Sequence, residues 1–235
     1  MFWHDVPMSK RALAWLAAVS AAAVPLSIFL LDRPIALAVR ASGFESAAWI
    51  VAVRDFLDIF TGRGLVGNHV GLGQLLLGAL FFSVGLAWTL AARANPVPRG
   101  LAFAGAVQIV TIETAWQVKD FFGRLRPYQL LESGDWSHLW FAGGSSFPSG
   151  HVAFFWGLFV PLAYAFPRWR YPLFVIPVFI ALARVDENFH FLGDVLGSIA
   201  LSAGITLAAA AALGRWVKPV TAAEPPKIAT VPHSA

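Results

Sequence analysis

Seven polar side chains stand out in a chain that is otherwise short of them: Lys119, Arg124 and Arg126, then His151, then Arg184, His190 and Asp194. Lys119, Arg126 and Arg184 bring three positive charges, and the planar guanidinium fork suits bidentate contact with phosphate oxygens. Ser149 and Gly150 stand where a loop meets an apolar run, so their backbone N–H groups and the start of a helix can hold an anion. Glycine there also permits close backbone approach. His190 and Asp194 are four residues apart, which on a helix puts them on one face. The carboxylate can then accept an imidazole N–H, fix the tautomer and leave the other nitrogen free to attack phosphorus. Breaking a phosphate ester needs a nucleophile and an acid for the leaving alkoxide, and two histidines fit that division.

The elements that position these groups are membrane helices. Of 235 residues 58% are hydrophobic and 13% charged, and the mean hydropathy is +0.67. A soluble domain carries about 45–50% apolar and about 25% charged residues, so a soluble enzyme of this length is excluded. A span needs about 20 mostly apolar residues. Six runs qualify: Ala12–Leu31, Gly71–Ala92, Leu101–Val118, His151–Phe166, Tyr171–Arg184 and Leu192–Leu213, the fourth and fifth being short. The first run exceeds the 7–15 residues of a secretory h-region and reads as an uncleaved helix. Between the first two spans, Phe44–Phe60 breaks its apolar residues with Glu45, Arg54, Asp55 and Asp58, as an interfacial helix would. The expected fold is therefore an all-α integral membrane protein of six transmembrane helices plus that interfacial helix. A single domain covers residues 1–214, and a proline-rich, disordered cytoplasmic tail covers 215–235.

Charge sets the orientation. With the N-terminus cytoplasmic, that side holds Lys10, Arg11, Arg93, Arg99, Arg168, Arg170, Arg215, Lys218 and Lys227 against Asp5 and Glu224. Its net charge is +7 and that of the other side −3, which together make the chain's +4. The short basic loops obey the positive-inside rule. Cations at helix ends often only snorkel to the interface. That account serves Arg93 and Arg168 but not Lys119, Arg126 and Arg184, which share the less basic side with two histidines and an aspartate. Charges at membrane depth mark a functional interior. The basic pI does not point to nucleic acid, because the charges are sorted by membrane side. The chain has no cysteine, which removes disulfides, thiolate metal sites and cysteine nucleophiles. Three cations beside His151, His190 and Asp194 oppose a divalent ion, so neither a metal nor any other cofactor is expected.

Lys119 to Pro127 reads Lys-Asp-Phe-Phe-Gly-Arg-Leu-Arg-Pro, Pro148 to His151 reads Pro-Ser-Gly-His, and Arg184, His190 and Asp194 follow at fixed spacing. In these stretches the chain resembles the type 2 phosphatidic acid phosphatase family, whose motifs are KX6RP, PSGH and SRX5HX3D. The first two match in full, whereas the third has Ala183 in place of serine. The resemblance implies a metal-independent membrane lipid phosphatase. His190 would be the nucleophile oriented by Asp194, and His151 the acid that protonates the leaving oxygen and later activates water. Lys119, Arg126, Ser149, Gly150 and Arg184 would bind phosphate. It implies a phosphorylated lipid of a bacterial envelope as substrate, with lipid A phosphatases among the similar members, and an active site facing the periplasm or exterior from the inner membrane. Phosphotransfer to a second lipid and non-catalytic carriage of anionic lipid are the alternatives. His4, His69, His138 and His233 lack such partners. Asp186 and Glu187 are expected to point away to water, the alternative being contact with hydroxyl or amine groups of a large headgroup; Glu113 is expected to point into the bundle, and Trp136, Trp140 and Trp169 to anchor at the interface.

Overall fold

The computed structural model describes residues 8–42, 47–62, 70–92, 95–217 and 220. His4, Asp5, Phe44, Glu45, His69, Arg93, Lys218, Glu224, Lys227 and His233 lie outside the described residues, as does most of the expected tail.

Ser9 opens the first helix, its Oγ accepting the Ala12 N–H at 3.1 Å. Helix α1 (Lys10–Leu26) passes through one π-helical turn, Ser27–Leu31, straight into α2 (Asp32–Ser42). The expected end of the first span at Leu31 is therefore no end, and the helix continues unbroken for 33 residues. Asp32, read from the sequence as the start of an outer connection, is buried inside the bundle. Its Oδ1 accepts from Ser27 Oγ at 2.7 Å and from the Gly193 N–H at 2.9 Å. Its Oδ2 accepts from Arg124 Nη2 at 2.6 Å. A carboxylate so fully partnered no longer has to leave the apolar region, so the helix need not break.

Then come α3 (Ala48–Asp58), α4 (Val70–Ala91), α5 (Val97–Phe122), α6 (Pro127–Ser133), α7 (Gly150–Ala165), α8 (Arg170–Asp186) and α9 (Leu192–Leu213), with no strand among the described residues. All six expected runs form helices, and four segments are long and apolar enough to cross a membrane: Lys10–Ser42, Leu72–Ala91, Val97–Ser133 and Leu192–Leu213. Helices α7 and α8 have 16 and 17 residues, or about 24 and 26 Å at 1.5 Å per residue, against about 30 Å of hydrocarbon.

Helix α7 is apolar all round because it is the central helix. Val152, Ala153, Phe154, Val160 and Ala163 are fully buried. The outside is also apolar, with Trp15, Phe29, Leu90, Val175 and Leu182 exposed, as a lipid-facing surface requires. With lipid outside, hydrophobicity does not hold helices together and close packing does. A Cβ on Gly105 of α5 would stand 2.4 Å from Gly78 O and Phe82 N, so α4 and α5 touch backbone to backbone.

The bundle has two unlike ends. At one, Gly214 lies beside Lys10, Gly100 lies beside Phe166, and the Val220 N–H donates to Ala165 O at 2.8 Å. Val217 is buried there, so the chain still packs on the bundle beyond residue 214. At the other end sit His151, His190, Arg124, Arg126 and Arg184.

The two ends of the chain's helical part meet at Arg124, which is fully buried. Its Nη1 donates to Asp194 Oδ1 at 2.5 Å and its Nη2 to Asp32 Oδ2 at 2.6 Å. Replacing Arg124 by Leu leaves two carboxylates buried without a cation, a defect of about 3–5 kcal/mol. The expected outcome is a large fall in the unfolding midpoint of detergent-solubilised protein. Asp32→Asn, which removes one charge and retains an acceptor, is expected to cost less in the same measurement.

Candidate active site

Each of the three motif segments folds for a local reason. Lys119 stands in the last turn of α5, which ends at Gly123 with φ 51° and its N–H on Lys119 O at 2.9 Å. The chain then runs through Arg124 and Leu125 to Arg126, the N-cap of α6, with Pro127 in the first helical position. Gln129 Oε1 accepts the Arg126 N–H at 2.8 Å. The loop before α7 lies against this stretch: Gly144 and Ser146 donate to Gly123 O and Arg124 O at 2.9 and 2.8 Å. A Cβ on Gly144 would come within 2.2 Å of Arg124 O, so only glycine fits. This contact brings Ser145 to the cations. Lys119 Nζ donates to Ser145 O at 2.6 Å and Arg126 Nη2 to Ser145 Oγ at 3.2 Å.

Arg184 stands in the last turn of α8, and the His190 N–H returns to Arg184 O at 3.0 Å, closing a loop whose Asn188 is left-handed at φ 52°. The Arg184 and Arg126 guanidinium carbons lie 4.8 and 6.0 Å from the ring centre of Phe189, so both cations flank one aromatic platform. Arg184 Nη1 donates to Glu187 Oε2 at 3.2 Å. Glu187 is buried and also pairs with Arg54 of α3, so the expectation that it points to water is wrong. Two arginines neutralise a carboxylate that would otherwise repel an anion.

His190 and Asp194 do come together, though not as neighbours on one helix. His190 precedes α9, Phe191 is the N-cap, and Asp194 folds back so that its Oδ2 accepts the Phe191 N–H at 2.9 Å. Ser146 Oγ donates to the same oxygen at 2.5 Å. His190 Nδ1 lies 3.6 Å from it, an electrostatic contact that a small closure would turn into a hydrogen bond. Burial, and next to it the charges of Lys119 and Arg184, hold the His190 imidazole well below its ordinary value, at about 3, against the opposing pull of Asp194. It is neutral at pH 7, with a free electron pair on one nitrogen.

Ser149 is the N-cap of α7, but its N–H donates to Asp194 O at 3.2 Å. Its buried Oγ has no hydrogen-bond partner among the described residues and is the group left for a ligand. Gly150 and His151 follow in the first helical turn, whose N–H groups have no intrahelical acceptor. His151 is buried, and its Nε2 lies 3.0 Å from Asp58 Oδ1 at the end of α3. The arrangement thus offers three cations, a first turn with N–H donors, a neutral histidine beside a carboxylate and a second histidine beside another. Among the described residues no group of three or more His, Cys, Asp or Glu side chains is placed to hold a metal ion.

Several residues here were visible in the sequence without their roles. Arg124 sat inside the variable stretch of the first motif, and Asp32, Arg54 and Asp58 belonged to segments read as connection or membrane surface. Their one legible signal was charge within apolar surroundings. Trp140 and Trp136, expected at the interface, cover the network: Trp140 lies 4.5 Å from the Arg124 guanidinium and Trp136 stacks near Phe191. Glu113 is half-buried.

Fold and site together define a helical membrane protein with a cationic, histidine-bearing cluster at one end of its bundle. The chain belongs to the PAP2 superfamily, whose family model matches residues 97–218. Membership carries phosphatase- or phosphotransferase-type chemistry and accounts for α5 through α9, where all three motifs lie. No curated protein and no solved structure matches the chain.

The state of His190 has a thermodynamic consequence. Its folded value lies near 3 and its unfolded value near 6.5, so the unfolded chain takes up a proton the folded one refuses. Stability is therefore lost as pH falls from about 6.5 toward 3. Over that interval His190→Asn protein is expected to lose less in unfolding midpoint than the wild type.

Proposed function

We propose that the protein is an integral-membrane, metal-independent lipid phosphatase that acts through a phosphohistidine at His190. The observation that carries this reading is the neutral His190 beside Asp194, facing the charges of Lys119 and Arg184. Simple anion binding would need the cations but no oriented imidazole, which argues against the carrier alternative.

In this reading Lys119, Arg126 and Arg184 take the phosphate oxygens, helped by Ser149 Oγ and the N–H of Gly150. Asp194 accepts from Nδ1, and Nε2 of His190 attacks phosphorus as the bond to the ester oxygen breaks. His151 gives its proton to that oxygen and becomes neutral. It then takes a proton from water, whose oxygen attacks phosphorus, breaks the P–N bond and returns His190 to its starting state. Asp194 stabilises the charged phosphohistidine between the two steps. Asp58 orients His151 and acts as a positioning residue.

The substrate is a phosphate monoester or diphosphate of a bacterial envelope lipid, its headgroup at the membrane surface and its chains among the helices. Helices α7 and α8 complete six spans despite their length, because α7 is enclosed by protein. The single domain comprises residues 1–214 and continues to Val217 and Val220, which still pack on the bundle; the residues beyond form a cytoplasmic tail, and α3 is an interfacial helix. The inner membrane holds the protein with the site facing the periplasm or exterior, as the basic Lys10, Arg11, Arg99, Arg168 and Arg170 favour. Transfer of the phosphoryl group to a second lipid uses the same intermediate and differs only in the acceptor.

The deciding experiment is phosphate release from a panel of lipid phosphates in detergent with EDTA present. Release is expected to survive the chelator, to be inhibited by vanadate and to be abolished in His190→Ala protein that still elutes as folded. Full activity in that variant would overturn the assignment. For Asp58→Asn the expected result is a fall in kcat with little change in KM. The fall should be smaller than the roughly 10²–10⁴-fold contribution of a complete general acid.

A further inference from the structure

Beside the phosphate site lies a second space that the chemistry above does not use. A cavity of about 610 Å³ runs between α8 and α9, walled by residues such as Ala183, Val195 and Leu196 and roofed by Val39 of α2 and Trp49 of α3. It opens outward past Val178 and Leu182, which are exposed on the apolar surface. From Val178 to Asp186 it follows α8 for about 12 Å at the helical rise. One leaflet's share of the hydrocarbon is about 15 Å. The groove has the length and polarity to hold one lipid tail.

Its polar end is at the catalytic end of the bundle. Ala183 and Val185 line the groove while Arg184, between them in sequence, turns to Glu187 and the phosphate-facing cluster. A chain in the groove and a phosphate at Arg184 are therefore about one helical turn apart. Ala183 is the position where the third motif departs from serine, and its side chain faces this apolar wall. One carboxylate breaks that wall: Asp186 lines the groove, and its buried Oδ2 has no hydrogen-bond partner among the described residues. A buried acceptor left unpaired is costly, and a donor on a ligand would remove the cost.

We infer that this groove seats one hydrocarbon chain of the substrate, and that Asp186 accepts a hydrogen bond from an amide N–H or hydroxyl at the head end of that chain. The inference rests on the phosphatase reading and narrows its substrate class. The favoured substrates are lipid phosphates with an amide-linked or hydroxylated chain. A diacylglycerol phosphate, whose chains are ester-linked, offers Asp186 no donor in that position.

The test compares ceramide 1-phosphate with diacylglycerol phosphate of matched chain length in the same micelles. Wild-type kcat/KM is expected to favour ceramide 1-phosphate by about tenfold or more, the worth of one hydrogen bond to a charged acceptor. Asp186→Ala is expected to bring the ratio close to one by slowing the amide-bearing substrate. Equal kcat/KM in the wild type overturns the inference. A binding measurement needs no variant and no turnover. Each lipid phosphate, and a phosphatidylcholine of the same chain length, carries a diazirine at the chain end, and labelled peptides are mapped. Preferential labelling of residues 178–199 by the ceramide phosphate supports the groove. Equal labelling by phosphatidylcholine means that bulk bilayer lipid fills it, and overturns the inference. Selective labelling with no phosphate released from either lipid sinks the phosphatase reading and leaves the groove assignment standing.

Discussion

A guanidinium with no access to water is the constraint on which the rest of this structure depends. Arg124 is fully buried among apolar rings, 4.2 Å from the centre of Phe191 and 4.5 Å from that of Trp140. A lone cation in such a place would be prohibitive, and the two carboxylates it needs come from α2 and α9, at opposite ends of the sequence. Satisfying Arg124 therefore docks the first helix against the last at the end that holds His151 and His190. Asp32 in turn holds the Gly193 N–H, and Asp194 holds the Phe191 N–H and Ser146 Oγ. The start of α9 and the loop before α7 are thus built on the same few charges. Asp194 is at once helix cap, counter-ion of Arg124 and neighbour of His190, which leaves it a single rotamer.

The same economy governs the entrance to the site. Helix α3 turns its apolar residues Trp49, Val53 and Phe56 outward and Arg54 and Asp58 inward, the reverse of a helix on a soluble protein, while Asp55 stays exposed beside Arg54. Asp58 reaches His151, and Arg54 reaches Glu187, which also holds Arg184. A short helix that pattern analysis would lay on the membrane surface thus supplies a second layer around two groups of the site. The cations of the cluster are not without relief, because Glu187 takes up part of the charge of Arg184.

Much of this was legible from residue types and spacing. The three motif segments lie together as expected, since helices of known direction must bring the end of α5, the start of α7, the end of α8 and the start of α9 to one side. The closeness of His190 and Asp194 could be read from a separation of four, although the reason differs: an N-cap turn, and not a helical face, closes the distance. The course of the first helix past Leu31 was not legible, because hydropathy treats Asp32 as a charge in water. Glu187 was misjudged on the same ground, its two arginine partners lying outside any local window. Arg124 stood out by type, but it is one of three basic residues in nine, with nothing local to mark which would turn inward.

Sequence alone determined the medium, the number of apolar runs and the chemical groups available, because hydropathy and residue type are properties of each segment by itself. It also determined the family, since its motifs lie within continuous stretches of chain. Tertiary structure decided which charges are buried and against what. Asp32, Arg124 and Asp194 become one unit only when residues 92 and 70 positions apart meet, and Asp58 and His151 only when the end of α3 meets the start of α7. The energy of a charge at membrane depth is set by its partners, and partners distant in the chain are invisible until it has folded.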